Sequence, residues 1–301
     1  MARRRSRRSR AARAGCGLVV VLVVLAAAVT LVVTVLRQHD ASPVAERCAA
    51  SIDGTRWFLA PDQSDNAALV AAVGVRRTLP ARAVTIALAT ALQESKLRNL
   101  SGGDRDSLGI FQQRPSQGWG TPEEILDPVY ATGRFYDGLA QVDGYEQLPI
   151  TEAAQAVQRS GFPDAYAQHE GVARAYASAL TGWSPNALTC TLAEAAPGSG
   201  SAQALVARVQ RDLGDLPAQV QPSADGEIDV ALDAGPLGPE TDRTRLGWAV
   251  AQWAVAVAQP LAVTRVEVAD QVWDRSDGDT WTTITDAEPV GPGSVVVTLA
   301  G

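Results

Sequence analysis

The sequence predicts a mainly α-helical domain and a small α+β C-terminal domain, the two preceded by one transmembrane helix. Three observations carry that expectation. An apolar stretch without a single charge, residues 18–36, runs for 19 residues directly after an arginine-rich start. From Ser64 to Trp183 the chain reads as apolar helical faces joined by polar turns. Past the small-residue segment 195–202 it turns to two helical patterns among runs of β formers. With 301 residues, 46% apolar and 20% charged, the chain has material for about two cored domains and is no disordered tract.

Residues 1–16 read as a basic cytoplasmic tail. Seven arginines lie within the first thirteen residues, with no acid among them. The whole chain carries 26 basic and 33 acidic residues, a net charge of −7. The chain beyond the tail is therefore more acidic than the total suggests, which excludes a broadly nucleic-acid-binding surface there. Residues 17–36 fit the transmembrane helix, since 19 residues at ~1.5 Å each match a hydrocarbon core of about 30 Å. The positive-inside rule keeps the N-terminus in the cytoplasm and places residues 37–301 outside, single-pass at the cell membrane. Anionic inner-leaflet lipid is the natural neighbour of the arginines. A cleaved signal peptide is the rival reading. It would have a shorter apolar core, and an Ala-x-Ala site ending at Ala45 meets Pro43 at its first position.

Cys16 precedes the apolar stretch, whereas a lipid-modified cysteine comes after one. Cys48 and Cys190 fall outside the membrane and bracket most of the helical region. An oxidising compartment permits their pairing. Closing so long a loop stabilises by about 4–5 kcal/mol on the chain-entropy model. Together with His39 and His169 they are too few and too dispersed for a metal site, and no cofactor motif accompanies them.

Residues 37–50 read as a spacer and 51–194 as the helical domain. Ser64 can cap a helix over residues 66–75, and Thr78 with Pro80 announces a second that runs to about Lys96. A third is expected near Ser107, a fourth at Asp127-Pro128, a fifth at Thr151 and a last near Pro163. Residues 195–202, all small apart from Pro197, read as a linker. In the C-terminal domain, residues 203–301, a helical pattern that starts at the linker's last residue, Ala202–Leu213, is followed by another over 242–258. Residues 264–268, 280–284 and Ser294–Leu299 look like strands, with Asp277-Gly278 a hairpin turn. Trp248, Trp253, Trp273 and Trp281 are open to two readings, as core or as a sugar-stacking surface that holds the chain on wall polymer.

One stretch points to chemistry. Ala83, Ala87 and Ala91 recur every four residues, and Glu94 comes three later on the same face. A carboxyl on a packed, small-residue face is desolvated, which raises its pKa and keeps the proton that a general acid needs. The competing reading is a solvated glutamate at a frayed helix end.

The residues Gln93-Glu94-Ser95, followed by Leu108-Gly109-Ile110-Phe111-Gln112-Gln113, resemble the lysozyme-like superfamily of lytic transglycosylases and goose-type lysozymes. The run on through Arg114-Pro115-Ser116-Gln117-Gly118-Trp119-Gly120-Thr121 resembles membrane-anchored actinobacterial-type proteins with such a region. The resemblance covers residues ~50–190 and implies a mainly α lysozyme-like domain. It implies Glu94 as catalytic acid, Ser95 as the neighbour touching substrate or acid, and Gln112 as a substrate-facing amide, with Phe111 and Gln113 beside it. The family's Ala-Tyr-Asn segment corresponds to Ala156-Val157-Gln158-Arg159-Ser160, which lacks the Tyr-Asn pair. Gln158 or Ser160 is then left for the polar contact and Tyr166 for the phenol.

The partner so implied is the peptidoglycan glycan strand, cut between N-acetylmuramic acid and N-acetylglucosamine. Inverting hydrolysis needs a base carboxylate ~6.5–9.5 Å from the acid. Asp104 and Asp106 are the candidates, although Asp106 before Ser107 is equally a helix cap. A lytic transglycosylase needs no second carboxylate, because the sugar's own hydroxyl attacks and leaves a 1,6-anhydro end. Trp119, Phe111, Tyr130 and Tyr136 are candidates to line a saccharide groove, and His169 reads as a solvated residue. The loss of Tyr-Asn keeps a second class open: a silent wall-binding or scaffold protein with the same groove.

Overall fold

The computed structural model describes residues 28–30, 45–158, 163–222, 226–285 and 287–301. The arginine tail, Cys16, most of the apolar stretch, and Arg159 and Ser160 lie outside them. Of the stretch read as an anchor, only residues 28–30 are described, and they are helical. Among the described residues no helix is long and apolar enough to cross a membrane. The chain divides into two units, Met1–Val44 and Ala45–Gly301, and every element numbered here belongs to the second.

That unit mixes helices with two antiparallel sheets. It begins with a hairpin where the sequence suggests a spacer and then helix. β1 (Arg47–Ile52) and β2 (Thr55–Leu59) pair Ile52 with Thr55 across Asp53-Gly54. Both turn residues have positive φ, 50° and 74°, the geometry that matches strand twist in a two-residue hairpin. β3 (Leu188–Thr191) closes this sheet in the order β2-β1-β3. Cys48 stands opposite Cys190 in the ladder, and a disulfide joins them over 142 residues of sequence.

Between β2 and β3 run α1 (Pro61–Arg76), α2 (Ala81–Ser95), α3 (Pro122–Leu126), α4 (Pro128–Leu139), α5 (Ile150–Gln158) and α6 (Glu170–Leu180). Prolines start α1, α3 and α4 where a missing N–H costs nothing, and the Asp127 carboxylate accepts from Val129 N to cap α4. Ala60, not Ser64, is the N-cap of α1; Ser64 is buried within the helix. The expected helix near Ser107 is absent. Residues 96–120 form a loop stitched by two bridges, Leu100 with Gly109 and Leu108 with Gln113, and then by a single 3-10 turn at Pro115–Gln117. The last helix enters through a 3-10 segment, Pro163–His169.

The C-terminal residues add α7 (Ala202–Leu213), α8 (Arg243–Ala256), α9 (Ala258–Leu261) and six strands. These are β4 (Ala218–Pro222), β5 (Ile228–Asp233), β6 (Val263–Val268), β7 (Gln271–Asp274), β8 (Trp281–Thr283) and β9 (Ser294–Leu299), ordered β4-β5-β9-β6-β7-β8. α8 explains how they meet the helices. Every residue from Leu246 to Ala256 is buried, because the helix packs on β6 and β9 and also on α1, α6 and β3. Its Gln252 is fully buried and bonded on all sides. The amide donates to Ala179 O (2.7 Å) and Ser184 O (3.1 Å) and accepts from Ala187 N (2.9 Å) and Leu188 N (2.8 Å). The small-residue segment 195–202 is tied down too, with Gly198 N on Gly301 O (2.6 Å) and Gly200 N on Ala300 O (2.8 Å).

The tryptophans settle between their two readings. Trp248, Trp253, Trp273 and Trp281 are all buried, at 8% exposure or less. Indole N–H groups of Trp253, Trp273 and Trp281 donate to Asp212 Oδ2 (3.0 Å), Gly278 O (3.1 Å) and Leu188 O (2.8 Å). They are core, and no sugar-stacking face is formed from them.

Candidate active site

The site grows from the C-terminal end of α2. The alanine-rich face that predicts its packing is buried from Ala83 to Leu92. The helix stops because Lys96 and Leu97 both turn into the left-handed region, at φ 55° and 57°. Such non-glycine residues persist only where surroundings hold them. Here Leu97 N returns to Ala91 O (3.0 Å), and Asn66 Nδ2 and Gln63 Nε2 donate to Leu97 O and Lys96 O at 2.8 and 2.9 Å. Leu97 itself is fully buried. Glu94 is thus held on a fixed terminal turn, not a frayed one.

Ser95, expected at substrate or acid, is buried and does a different job. Its hydroxyl donates to Ile110 O (2.6 Å) and accepts from Arg98 N (3.1 Å), fastening the 108–113 loop to the helix end. Gly109 makes the loop's approach possible: its φ is +77°, and a Cβ there would sit 2.6 Å from Ile125 O. Phe111, expected near substrate, is fully buried and stacked on Phe135 with centroids 4.6 Å apart. Gln113 is buried as well, donating to Ala131 O at 3.0 Å. Gln112 is half-buried in a left-handed conformation (φ 50°), with Nε2 on Gly109 O at 3.1 Å.

Two side chains converge on Glu94 from other elements. The Tyr166 hydroxyl donates to Oε1 at 2.7 Å, from a ring that is fully buried in the 3-10 segment. The Gln158 amide at the end of α5 also bonds the carboxyl, and its Nε2 lies 2.8 Å from Phe111 O. Burial pushes the Glu94 pKa up, and the hydrogen bonds from Tyr166 and Gln158 offset only part of that. A partly buried carboxyl with neutral donors and a raised pKa keeps its proton to higher pH than a solvated one and can deliver it to a bound group.

Next to Glu94, Gln93 accepts from His169 Nε2 (3.0 Å) and Gln168 Nε2 (3.2 Å). His169 is thus not a solvated residue; it is half-buried, and burial lowers its pKa. The sequence carries no motif for this pair, because 76 residues separate its members.

The acids proposed for a second carboxylate role lie in the loop. Asp106 accepts from Ser116 N (2.8 Å) and Arg114 Nε (2.7 Å), and hydrogen bonds from the Ser116 side chain and backbone, then from Arg114, hold its pKa far below the usual carboxylate range. It caps no helix. Asp104 is exposed and faces the Arg105 guanidinium at 3.9 Å.

A cleft of about 860 Å³ lies on the far side of Gln158, and Glu94 is not among the residues that line it. Gln117, Trp119, Arg134, Gln141, Val157 and Gln158 line it, so Gln158 belongs both to the cleft and to the carboxyl's hydrogen bonds. Trp119 is the one of the four groove aromatics that lines it. Tyr130 donates to Trp119 O (3.3 Å), and Tyr136 is buried with its hydroxyl on Val70 O (3.0 Å). Arg134 escapes a reading of the sequence because an arginine on a helix normally marks a solvated face.

No protein-family model matches the chain, and no curated protein matches it.

Proposed function

We propose that the protein is a membrane-anchored, lysozyme-like enzyme that cleaves peptidoglycan glycan strands outside the cell membrane, with Glu94 as general acid. The observation that carries this reading is the Glu94 carboxyl. It is partly buried, held at 2.7 Å by the Tyr166 hydroxyl, and joined through Gln158 to a cleft of about 860 Å³. That volume and a lining of three amides, one indole and the Arg134 and Asp137 charges suit a sugar strand. Glu94 gives its proton to the glycosidic oxygen as the bond to the anomeric carbon breaks. In transglycosylation the muramoyl 6-hydroxyl then attacks that carbon and returns its proton to Glu94. In hydrolysis water supplies the nucleophile. The occupied Asp106 and the solvent-facing Asp104 favour transglycosylation, which requires no second carboxylate.

The test uses the full-length protein in detergent with purified peptidoglycan. Wild type is expected to release muropeptides with 1,6-anhydro ends, read by mass spectrometry, and Glu94→Gln to release none. Equal release by both would reject Glu94 as the acid. No release by either would favour a silent wall-binding protein.

A further inference from the structure

We propose that Arg134 forms an anion subsite in the cleft, taking a carboxylate carried on the lactyl ether of the muramoyl sugar. The proposal deepens the glycan-cleavage reading and rests on it. Arg134 sits on α4 and lines the cleft, and its Nε is buried with no partner among the described residues. Its Nη1 stands 3.7 Å from Asp137 Oδ2, beyond hydrogen-bond reach. Asp137 is drawn to a different cation: Arg77 Nη2 reaches Oδ1 at 2.5 Å, and Arg77 Nη1 is anchored on Gly133 O at 2.8 Å. One carboxylate is therefore shared by two guanidiniums, and the surplus positive charge falls on the member in the cleft.

The rest of the lining sharpens the point. Asp137 lines the cleft as well, with its Oδ1 taken by Arg77, and the other polar and aromatic lining residues, Gln117, Gln141, Gln158 and Trp119, carry no charge and suit hydroxyls, N-acetyl groups and a sugar face. A neutral strand would leave the guanidinium fork unused. The Arg134 side chain as a whole is 42% exposed, and a planar carboxylate is the group that a guanidinium fork fits best. N-acetylmuramic acid differs from N-acetylglucosamine by a lactyl ether that ends in a carboxyl, free or extended by a peptide with carboxylates of its own. Arg134 is thereby the residue that tells a muramoyl strand from a chitin-type strand.

The experiment titrates full-length protein in detergent, all of it carrying Glu94→Gln to prevent turnover, with three probes of equal sugar length. They are peptide-bearing glycan strands, amidase-stripped strands with free lactyl carboxylates, and a neutral chito-oligosaccharide. Adding Arg134→Gln is expected to weaken strand binding roughly tenfold, most at low salt, and to leave the chito-oligosaccharide unchanged. Loss confined to peptide-bearing strands assigns the carboxylate to the peptide; loss confined to stripped strands assigns it to the lactyl acid. Arg134→Lys, which keeps the charge without the fork, should recover part of the affinity and guards against a folding artefact. An equal loss on all three probes, or no loss on any, overturns the subsite. Strands that bind but ignore Arg134→Gln leave glycan recognition standing; protein that binds no probe removes both.

Discussion

Glu94 and Asp212 are both acids withdrawn from water near a helix C-terminus, yet the chain surrounds them in opposite ways. Asp212 on α7 is fully buried and meets two guanidiniums, Arg208 and Arg211, each at 2.7 Å, plus the Trp253 indole at 3.0 Å. Arg208 also reaches Asp65 on α1, so the cluster ties α7 to both α1 and α8. Among the described residues Glu94 is given a phenol and an amide but no cation, and burial raises its pKa. An acid kept for structure is paired with charge, because an unpaired buried charge is ruinous. On the proposed function, Glu94 is an acid kept for chemistry, and neutral donors leave its proton within reach.

The contrast is broken or sharpened most strongly at Glu94. Glu94→Gln should reduce strand cleavage by about 10²- to 10⁴-fold, the usual worth of a positioned general acid. It should not destabilise the fold. A carboxyl whose folded pKa is raised stabilises fully only below its unfolded pKa, and that contribution is lost as pH rises through the folded value. Glutamine never ionises. Melting temperatures across pH should therefore show the variant gaining on wild type toward neutral and alkaline pH. A variant that loses both activity and stability would place Glu94 with Asp212, as a structural acid.

Asp212→Asn should behave in the reverse way. It leaves Arg208 with Asp65 alone and takes the charge partner from Arg211, in a spot where the carboxylate is wholly buried. Breaking such a pair costs about 3–5 kcal/mol, measurable in urea denaturation. Cleavage per folded molecule should be unchanged. Loss of the Cys48–Cys190 bridge comes next. Reduction, or Cys48→Ala with Cys190→Ala, should cost about 2–5 kcal/mol, since a link across 142 residues restricts the unfolded chain. Peptide mapping without reductant that found both thiols free would remove this expectation.

How much of the molecule is legible in its sequence depends on the range of the forces. Proline at a helix start and the β formers of Ser294–Leu299 act locally, and α4 and β9 lie where those signals put them. The Asp53-Gly54 hairpin has an equally local signal, which the expectation of a spacer passes over. The helix expected at Ser107 fails because the cap signal of Asp106 is spent on Arg114 and Ser116, across the loop. The tryptophans are ambiguous because burial of α8 on both sides is a tertiary fact; a helix buried all round has no polar face to read. At the site, the acid stands out on a periodic face. The buried places of Ser95, Phe111 and Gln113, and the approach of His169 to Gln93, depend on segments distant in the chain.

The smallest expected effect is also the most specific to the contrast. Tyr166→Phe keeps the buried ring and removes only the hydroxyl that donates to Glu94. The lost hydrogen bond should cost about 1 kcal/mol of stability, far less than Asp212→Asn. Its main consequence is on ionisation. The phenol stabilises the charged carboxylate and so lowers the Glu94 pKa against the upward push of burial. Without it the pKa rises further. An acid catalyst works below its pKa and fails as pH climbs through it. The alkaline limb of the rate profile should therefore move to higher pH in the variant, with the rate at the plateau less affected than the position of the limb. A limb that stays put, or moves to lower pH, would mean that Tyr166 packs the site without governing the proton on Glu94.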